Sequence, residues 1–455
     1  MKNPFHYKLI LALLISALTF ASCKKFVDAG SPKSELTTDK VFADSAGAAG
    51  AVNGLYINMI QPFGQGFSSG GITVAAGLVA DELSTTAQGP NAEFFANNVN
   101  PRNAQNESLW TGAYQQLYPA NSCIEGIAAS GLTPSQKDRL TAEARVVRAY
   151  LLFNLVNLYG PVPLATMTDY RISRTLPRSP VNEVYQQIQA DLQFAQAHLD
   201  QNNVQTQHAN VWAATSLLAR VYLYQGKYAQ AAAEASKVII PGNFNLEKEP
   251  KDVFLAGSRE TIWRLIPVYP GRETWEASLF VPSSATATPP FVITDRLKNS
   301  FEFNDKRGME WIGINTIAGK VYAYPDKYKR VFSSGGLQES YVLIRLAEIY
   351  LIRAEARLRT GDVNGAIEDL KMIQQRANAD LYTGTASGLA AAIEQERRKE
   401  LFCESGHRWF DLKRTGRANA VLTSTKPNWK ETAQLLPIPQ AQIDANPELT
   451  QNPGY

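Results

Sequence analysis

Residues 211–239 read VWAATSLLARVYLYQGKYAQAAAEASKVI, and residues 343–376 read LIRLAEIYLIRAEARLRTGDVNGAIEDLKMIQQR. In the first stretch Val211, Ala214, Leu218, Val221 and Tyr222 recur at the spacing that places them on one face of a helix. Gly226-Lys227-Tyr228 interrupts the pattern, and the alanine-rich run from Ala229 to Ile239 predicts a return helix. In the second stretch Leu343, Leu346, Ala347, Tyr350, Leu351 and Ala354 share a face, Gly361-Asp362-Val363 turns the chain, and Ala366 to Arg376 returns. Aligned on Gly226 and Gly361, Ala219 meets Ala354, Ala231 meets Ala366, Ala235 meets Leu370 and Val238 meets Ile373. Small residues recur where two helices must approach closely, so the repeated unit is a helical hairpin that buries its apolar face on a neighbour.

Outward from these hairpins the same signals continue. Val147, Tyr150, Leu151, Leu155 and Leu158 predict a helix over Glu143–Tyr159 that Gly160-Pro161 stops, and Val184, Ile188 and Leu192 predict another after Pro180. The expected fold is mainly α, built of tetratricopeptide-like hairpins in units at about 135–240 and 339–415. Long insertions interrupt them at about 58–106 and 241–333, rich in Gly, Pro, Asn and aromatics, with short strands such as Thr261–Pro267. Residues 424–455 read as an extended end segment. Loops this long inside a compact domain are usually functional, so the loop-rich face is the expected ligand face. Residues 23–455 form one domain on this reading.

The first residues read as an address. Lys2 and Lys8 flank a basic start, Leu9 to Phe20 is almost wholly apolar, and Ala21 and Ser22 lead into Cys23. Leu18 to Cys23 resembles a bacterial lipobox, which implies that residues 1–22 are a signal peptide and that Cys23 is the acylated first residue of the mature protein. Residues 24–40 are polar, suiting a tether, with regular structure expected from about Val41.

Composition narrows the function. Of 455 residues 45% are hydrophobic and 19% charged, below the usual share of about 25%. A net charge of +3 without basic clusters argues against nucleic acid as a partner. Three cysteines and four histidines without metal-ligand spacing give no expectation of a metal, and no sequence signal asks for a cofactor. Gly66-Phe67-Ser68-Ser69-Gly70 matches the nucleophile-elbow pattern, and Asp81-Glu82 is a carboxylate pair; a surface hydrolase using one of these is the alternative to a binding protein. Cys123 and Cys403 fall in helical patterns as buried thiols. The loops also supply aromatics, which suit a ligand with one apolar and one polar side, such as a pyranose. The aromatics in these polar loops are Phe63, Phe67, Phe94, Phe95, Trp275, Trp311, Tyr322 and Tyr324, of which only a subset can be exposed.

Two C-terminal segments carry a family resemblance. Glu396-Arg397-Arg398-Lys399-Glu400-Leu401-Phe402-Cys403-Glu404-Ser405-Gly406-His407-Arg408-Trp409-Phe410-Asp411-Leu412-Lys413-Arg414 resembles the hallmark of the SusD/RagB nutrient-binding lipoproteins. So do Leu436-Pro437-Ile438-Pro439-Gln440, Asn446-Pro447-Glu448-Leu449 and Gln451-Asn452-Pro453-Gly454-Tyr455. The charged segment itself reads as structural, able to form Arg–carboxylate pairs between a helix and the following turn. The resemblance implies four tetratricopeptide-like units, an acyl anchor in the outer membrane, exposure to the cell exterior, and a partnership with a TonB-dependent, SusC-like transporter. Such proteins act as the lid and capture an oligosaccharide or another nutrient, so the resemblance implies no enzymatic activity. It also implies the candidate ligand-binding residues, since the stretches that correspond to the sugar-binding loops of such proteins contain Phe94, Phe95, Trp275 and Trp311.

Overall fold

The structure, a computed structural model, describes residues 38–60, 66–333, 335–426 and 428–455. Cys23 and the expected signal peptide lie outside the described residues. The described chain begins with α1 (Thr38–Val41) and α2 (Ser45–Met59), then α3 (Gly71–Val79) and α4 (Pro90–Phe95). The helical scaffold follows as α5 (Ala104–Ala129), α6 (Pro134–Tyr159), the short α7 (Tyr170–Ser173), α8 (Val181–His198), α9 (Val211–Tyr224) and α10 (Tyr228–Ile239). Short helices α11 (Trp275–Phe280), α12 (Asp295–Lys298) and α13 (Lys306–Glu310) interrupt it. It resumes with α14 (Leu346–Thr360), α15 (Val363–Ala377), α16 (Ala386–Leu401), α17 (His407–Arg414) and α18 (Ala418–Leu422), and α19 (Gln440–Ala445) lies near the end.

Each long helix packs on its predecessor: α5 on α6, α6 on α8, α8 on α9, α9 on α10, α10 on α14, and α14 on α15 and α16. Capping explains the boundaries. Thr133 and Gln136 form a reciprocal cap at the start of α6, and Gly160, with φ 73°, ends it before Pro161. Gly361, with φ 92°, takes the left-handed turn that ends α14. Helix α9 is the central one: every residue of it except Tyr224 is buried, whereas its neighbour α10 buries only Ala231, Ala235 and Val238.

Buried polar side chains staple neighbouring helices. Arg148 on α6 grips Asp191 on α8 at 2.8 and 2.7 Å, Arg353 on α14 grips Asp369 on α15 at 2.9 and 2.7 Å, and Arg414 on α17 grips Glu355 on α14 at 2.7 Å through both nitrogens. Two-pronged pairs of this kind fix relative helix position, because a planar guanidinium meets a carboxylate in one orientation.

Strands are few: β1 (Leu83–Thr85), β2 (Thr261–Leu265), β3 (Phe291–Ile293), β4 (Ile312–Ile317), β5 (Lys320–Pro325) and β6 (Tyr341–Arg345). They pair antiparallel as β1–β3, β2–β6 and β4–β5.

Several boundaries differ from expectation. Leu343 belongs to β6, because the run Val342-Leu343-Ile344 is buried throughout and pairs with Thr261–Leu265; the helix starts at Leu346. Residues 58–106, expected as loop, contain α3, whose nine residues are all buried and which therefore shows no polar face for periodicity to detect. The segment 424–455 contains α19 as well as extended chain. Cys403 is buried, but in a turn with φ 51° and not in a helix.

Candidate functional site

The charged segment near the C-terminus forms a network inside the protein. Arg397 holds Asp411 at 2.8 and 3.2 Å, joining α16 to α17 as expected for a helix and the turn after it. The network also reaches far along the chain. Arg345 contacts Glu260 at 2.8 Å, Glu400 at 2.6 Å and Glu404 at 2.8 Å; Arg307 contacts Asp305, Glu396 and Glu400; Arg376 contacts Glu260 and Glu400. Burial works to raise the Glu400 carboxyl, yet Arg376, Arg345 and Arg307 around it hold it well below the usual carboxylate range.

This network decides the fate of Trp311. The ring is fully buried, its indole N–H donates to the Pro250 carbonyl at 2.9 Å, and the Lys327 ammonium lies 4.4 Å from its centroid with Arg345 and Arg376 at 5.7 and 5.6 Å. Trp311 is a lining for cations and cannot offer a face to a ligand. Phe94 is likewise fully buried, so its candidacy is corrected too. Phe95 is partly buried, with the Lys426 ammonium 4.1 Å from its centroid and donating to the Phe95 carbonyl at 3.1 Å. Trp275 is 9% exposed. An open platform of these four rings does not exist, because neighbouring chain and cationic side chains already cover them.

Trp275 does, however, sit beneath an exposed assembly. The chain at 269–275 runs against 331–333: Glu273 N–H donates to the Val331 carbonyl at 3.3 Å and Ser333 N–H to the Gly271 carbonyl at 3.1 Å. Two buried carboxylates hold the pair of loops. Glu273 accepts from the backbone N–H groups of Gln338 at 3.1 Å and Glu339 at 2.9 Å, and Glu339 accepts from those of Lys329 at 3.0 Å and Arg330 at 3.1 Å. Burial, and then the nearby Glu273, keep the Glu339 carboxyl above its ordinary value although those amides pull it down. On this frame the exposed Arg272 guanidinium lies 4.9 Å from the Trp275 centroid and 5.1 Å from that of Phe332, and Tyr269 packs on Trp275 at 6.3 Å. Phe332 is 67% exposed. The outer layer is thus a flat ring beside a guanidinium, the inner layer the tryptophan. Phe332 and Arg272 were not singled out from sequence; their signal is an aromatic and a cation flanked by Gly271 and Gly335-Gly336 within the loop-rich stretches.

The hydrolase candidates are placed differently. Ser68 is buried and donates to the amide oxygen of Gln116 at 2.7 Å, which is no base. Asp81 accepts from Arg408 at 2.7 and 3.2 Å and lies 3.1 Å from Arg398; burial acts to raise it, but these cations hold it below its ordinary value. Glu82 is pushed up to about 8 by burial, and accepts from the Cys403 N–H at 3.3 Å. Both carboxyls are 2% exposed and belong to the core.

Comparison with known proteins agrees with this scaffold. The family model described as "SusD family" matches residues 315–455, and that described as "Starch-binding associating with outer membrane" matches residues 37–223. SusD-like protein P2 of Formosa agariphila is 25% identical over 510 aligned positions covering 99% of each chain. A SusD superfamily protein of Bacteroides vulgatus superposes with a TM-score of 0.79 at 18% identity, over 91% of this chain and 100% of its own. A putative sugar binding protein of the same species gives 0.75 at 26% identity, over 90% and 98%. The paired helices, the buried arginine network at their C-terminal end and these matches across the described chain together make it a member of the SusD/RagB family.

Proposed function

We propose that this chain captures glycans at the cell surface without a chemical step, held at the outer membrane by acyl chains on Cys23 and acting as the lid of a SusC-like transporter. The observation that carries the reading is the Phe332 ring, two-thirds exposed and braced through Arg272 on the buried Trp275. A pyranose presents an apolar C–H face that such a ring covers, while the neighbouring guanidinium takes its hydroxyl groups. The likeness to a putative sugar binding protein and to the starch-binding family model supports this class of ligand. No helix among the described residues is long and apolar enough to cross a membrane, and the acyl anchor supplies attachment without one. The long helices form the transporter-facing half, and the loop frame faces the ligand.

Affinity is expected in the range of about micromolar to millimolar, since a single stacking surface must still offset the lost freedom of the ligand. Calorimetry against a polysaccharide panel is expected to find at least one ligand whose binding falls at least tenfold in Phe332→Ala, with unchanged helical circular dichroism. Product analysis on the same samples tests the absence of chemistry; reducing ends that accumulate with pure protein and vanish in Ser68→Ala or Asp81→Asn would establish the hydrolase. Cys23→Ser is expected to abolish labelling by a palmitate analogue and release the chain from the membrane fraction.

A further inference from the structure

A concave surface that shares no lining residue with the loop frame lies between α5, the segment after α6 and α19. It is a cleft of about 360 Å³, within the range of small-ligand sites of ~300–1,000 Å³. One wall is a row of rings on α5, Trp110, Tyr114 and Tyr118, four residues apart and therefore on one helix face spanning about 12 Å. Tyr114 is fixed by its hydroxyl, which donates to the Pro163 carbonyl at 2.9 Å, and by Trp110, whose ring centroid is 5.2 Å away. Tyr118 is 57% exposed, and Met167 closes the apolar side.

The charge of the cleft is one-sided. Arg174 lines it and makes no ion pair among the described residues, and the nearby Asp169 is occupied by Arg171 at 2.6 Å. Among the described residues no Asp or Glu lines the cleft. The Gln442 amide, also in the lining, has no side-chain hydrogen bond among the described residues. A flat apolar wall, one uncompensated guanidinium and a free amide describe a ligand with a ring face, a carboxylate and hydroxyl groups. We infer that this cleft binds a uronic-acid sugar of one or two residues, its carboxylate paired with Arg174 and its ring on Tyr118. An Arg–carboxylate pair supplies both charge and a fixed orientation, so the site would distinguish an acidic sugar from its neutral counterpart. It does not depend on the reading of the Phe332 frame.

The test uses residues 24–455, which lack the acylated Cys23, with methyl β-glucuronide, methyl β-glucoside and benzoate, each followed by ligand-observed NMR saturation transfer and calorimetry. The glucuronide is expected to bind at least tenfold more tightly than the glucoside, with the preference falling as salt rises. Arg174→Gln, at an exposed position, is expected to abolish the preference, and Tyr118→Ala to weaken glucuronide binding at least fivefold. Equal binding of glucuronide and glucoside, or glucuronide binding indifferent to Arg174→Gln, overturns the proposal. Benzoate binding without glucuronide binding overturns the sugar assignment.

Discussion

Arg220 on α9 and Glu348 on α14, separated by 128 residues of chain, meet through two hydrogen bonds of 2.6 and 2.7 Å with both side chains 2% exposed. The pair ties one repeated hairpin to the other. Removing one partner leaves an uncompensated buried charge, so Arg220→Ala is expected to cost about 3–5 kcal/mol, while Arg220→Met with Glu348→Leu recovers most of that loss. Urea denaturation of both variants checks it. Equal losses in the single and double variants would show that the cost is one of packing and not of stranded charge.

Trp311 and Phe332 separate stability from exposure. Trp311→Ala empties a site fully enclosed by cations and aromatic rings and is expected to cost about 3–5 kcal/mol. Phe332→Ala is expected to stay within about 0.5 kcal/mol of the unaltered protein, because its ring is mostly in water. Thermal melts of the two variants read the contrast directly.

Two buried carboxyls give a pH signature. Glu82 and Glu276 are each pushed up to about 8, by burial first. A carboxyl whose folded pKa exceeds its unfolded value of about 4.5 binds its proton more tightly when folded, so its contribution to stability falls as pH rises from about 4.5 to about 8. Lys413 and Lys426, lowered to about 7 by burial, act the other way above that pH. Glu276→Gln, which keeps the shape beside Thr73, is expected to flatten the decline between pH 5 and 7. Denaturation midpoints at pH 5, 6 and 7 measure it; an unchanged slope would place the Glu276 carboxyl in its ordinary range.

Gly406 has φ 76°, and a Cβ there would lie 2.9 Å from the Cβ of Ala76 on α3. Gly406→Ala therefore meets both a left-handed backbone penalty of about 1–2 kcal/mol and a collision with a central helix. The variant is expected to lose at least 2 kcal/mol, roughly the backbone penalty plus strain, and limited proteolysis should show the α3–α17 contact opening early.

The scaffold was legible wherever one face of a helix was apolar and the other polar. Gly226 and Gly361 marked the turns of the two hairpins, and their φ values of 70° and 92° show why glycine stands there. Helix α3 was illegible because Ile72, Val74, Ala76 and Leu78 are buried along with the residues between them. The exposure of an aromatic ring was illegible for a different reason. Trp311 is covered by Phe254, Lys327 and Phe402, brought from separate parts of the chain, whereas Phe332 has its ring side open. The family-like segment announced its charges, but its partners Arg307 and Arg345 lie 93 and 55 residues upstream of Glu400.

The end of the chain buckles onto the beginning of the scaffold. Asn452 donates to the carbonyls of Tyr159 at 2.9 Å and Leu436 at 2.7 Å, Arg178 donates to the Thr450 carbonyl at 3.0 Å, and Asn106 donates to that of Pro437 at 2.8 Å. During synthesis, which proceeds from the amino end, the first hairpin emerges about 290 residues before the groups that complete it. The Tyr159 carbonyl and the Arg178 guanidinium at its exit turn therefore lack these partners until Thr450 and Asn452 have been made. A substitution at Asn452 alone thus reaches back to loosen the exit of a helix pair whose own sequence is untouched.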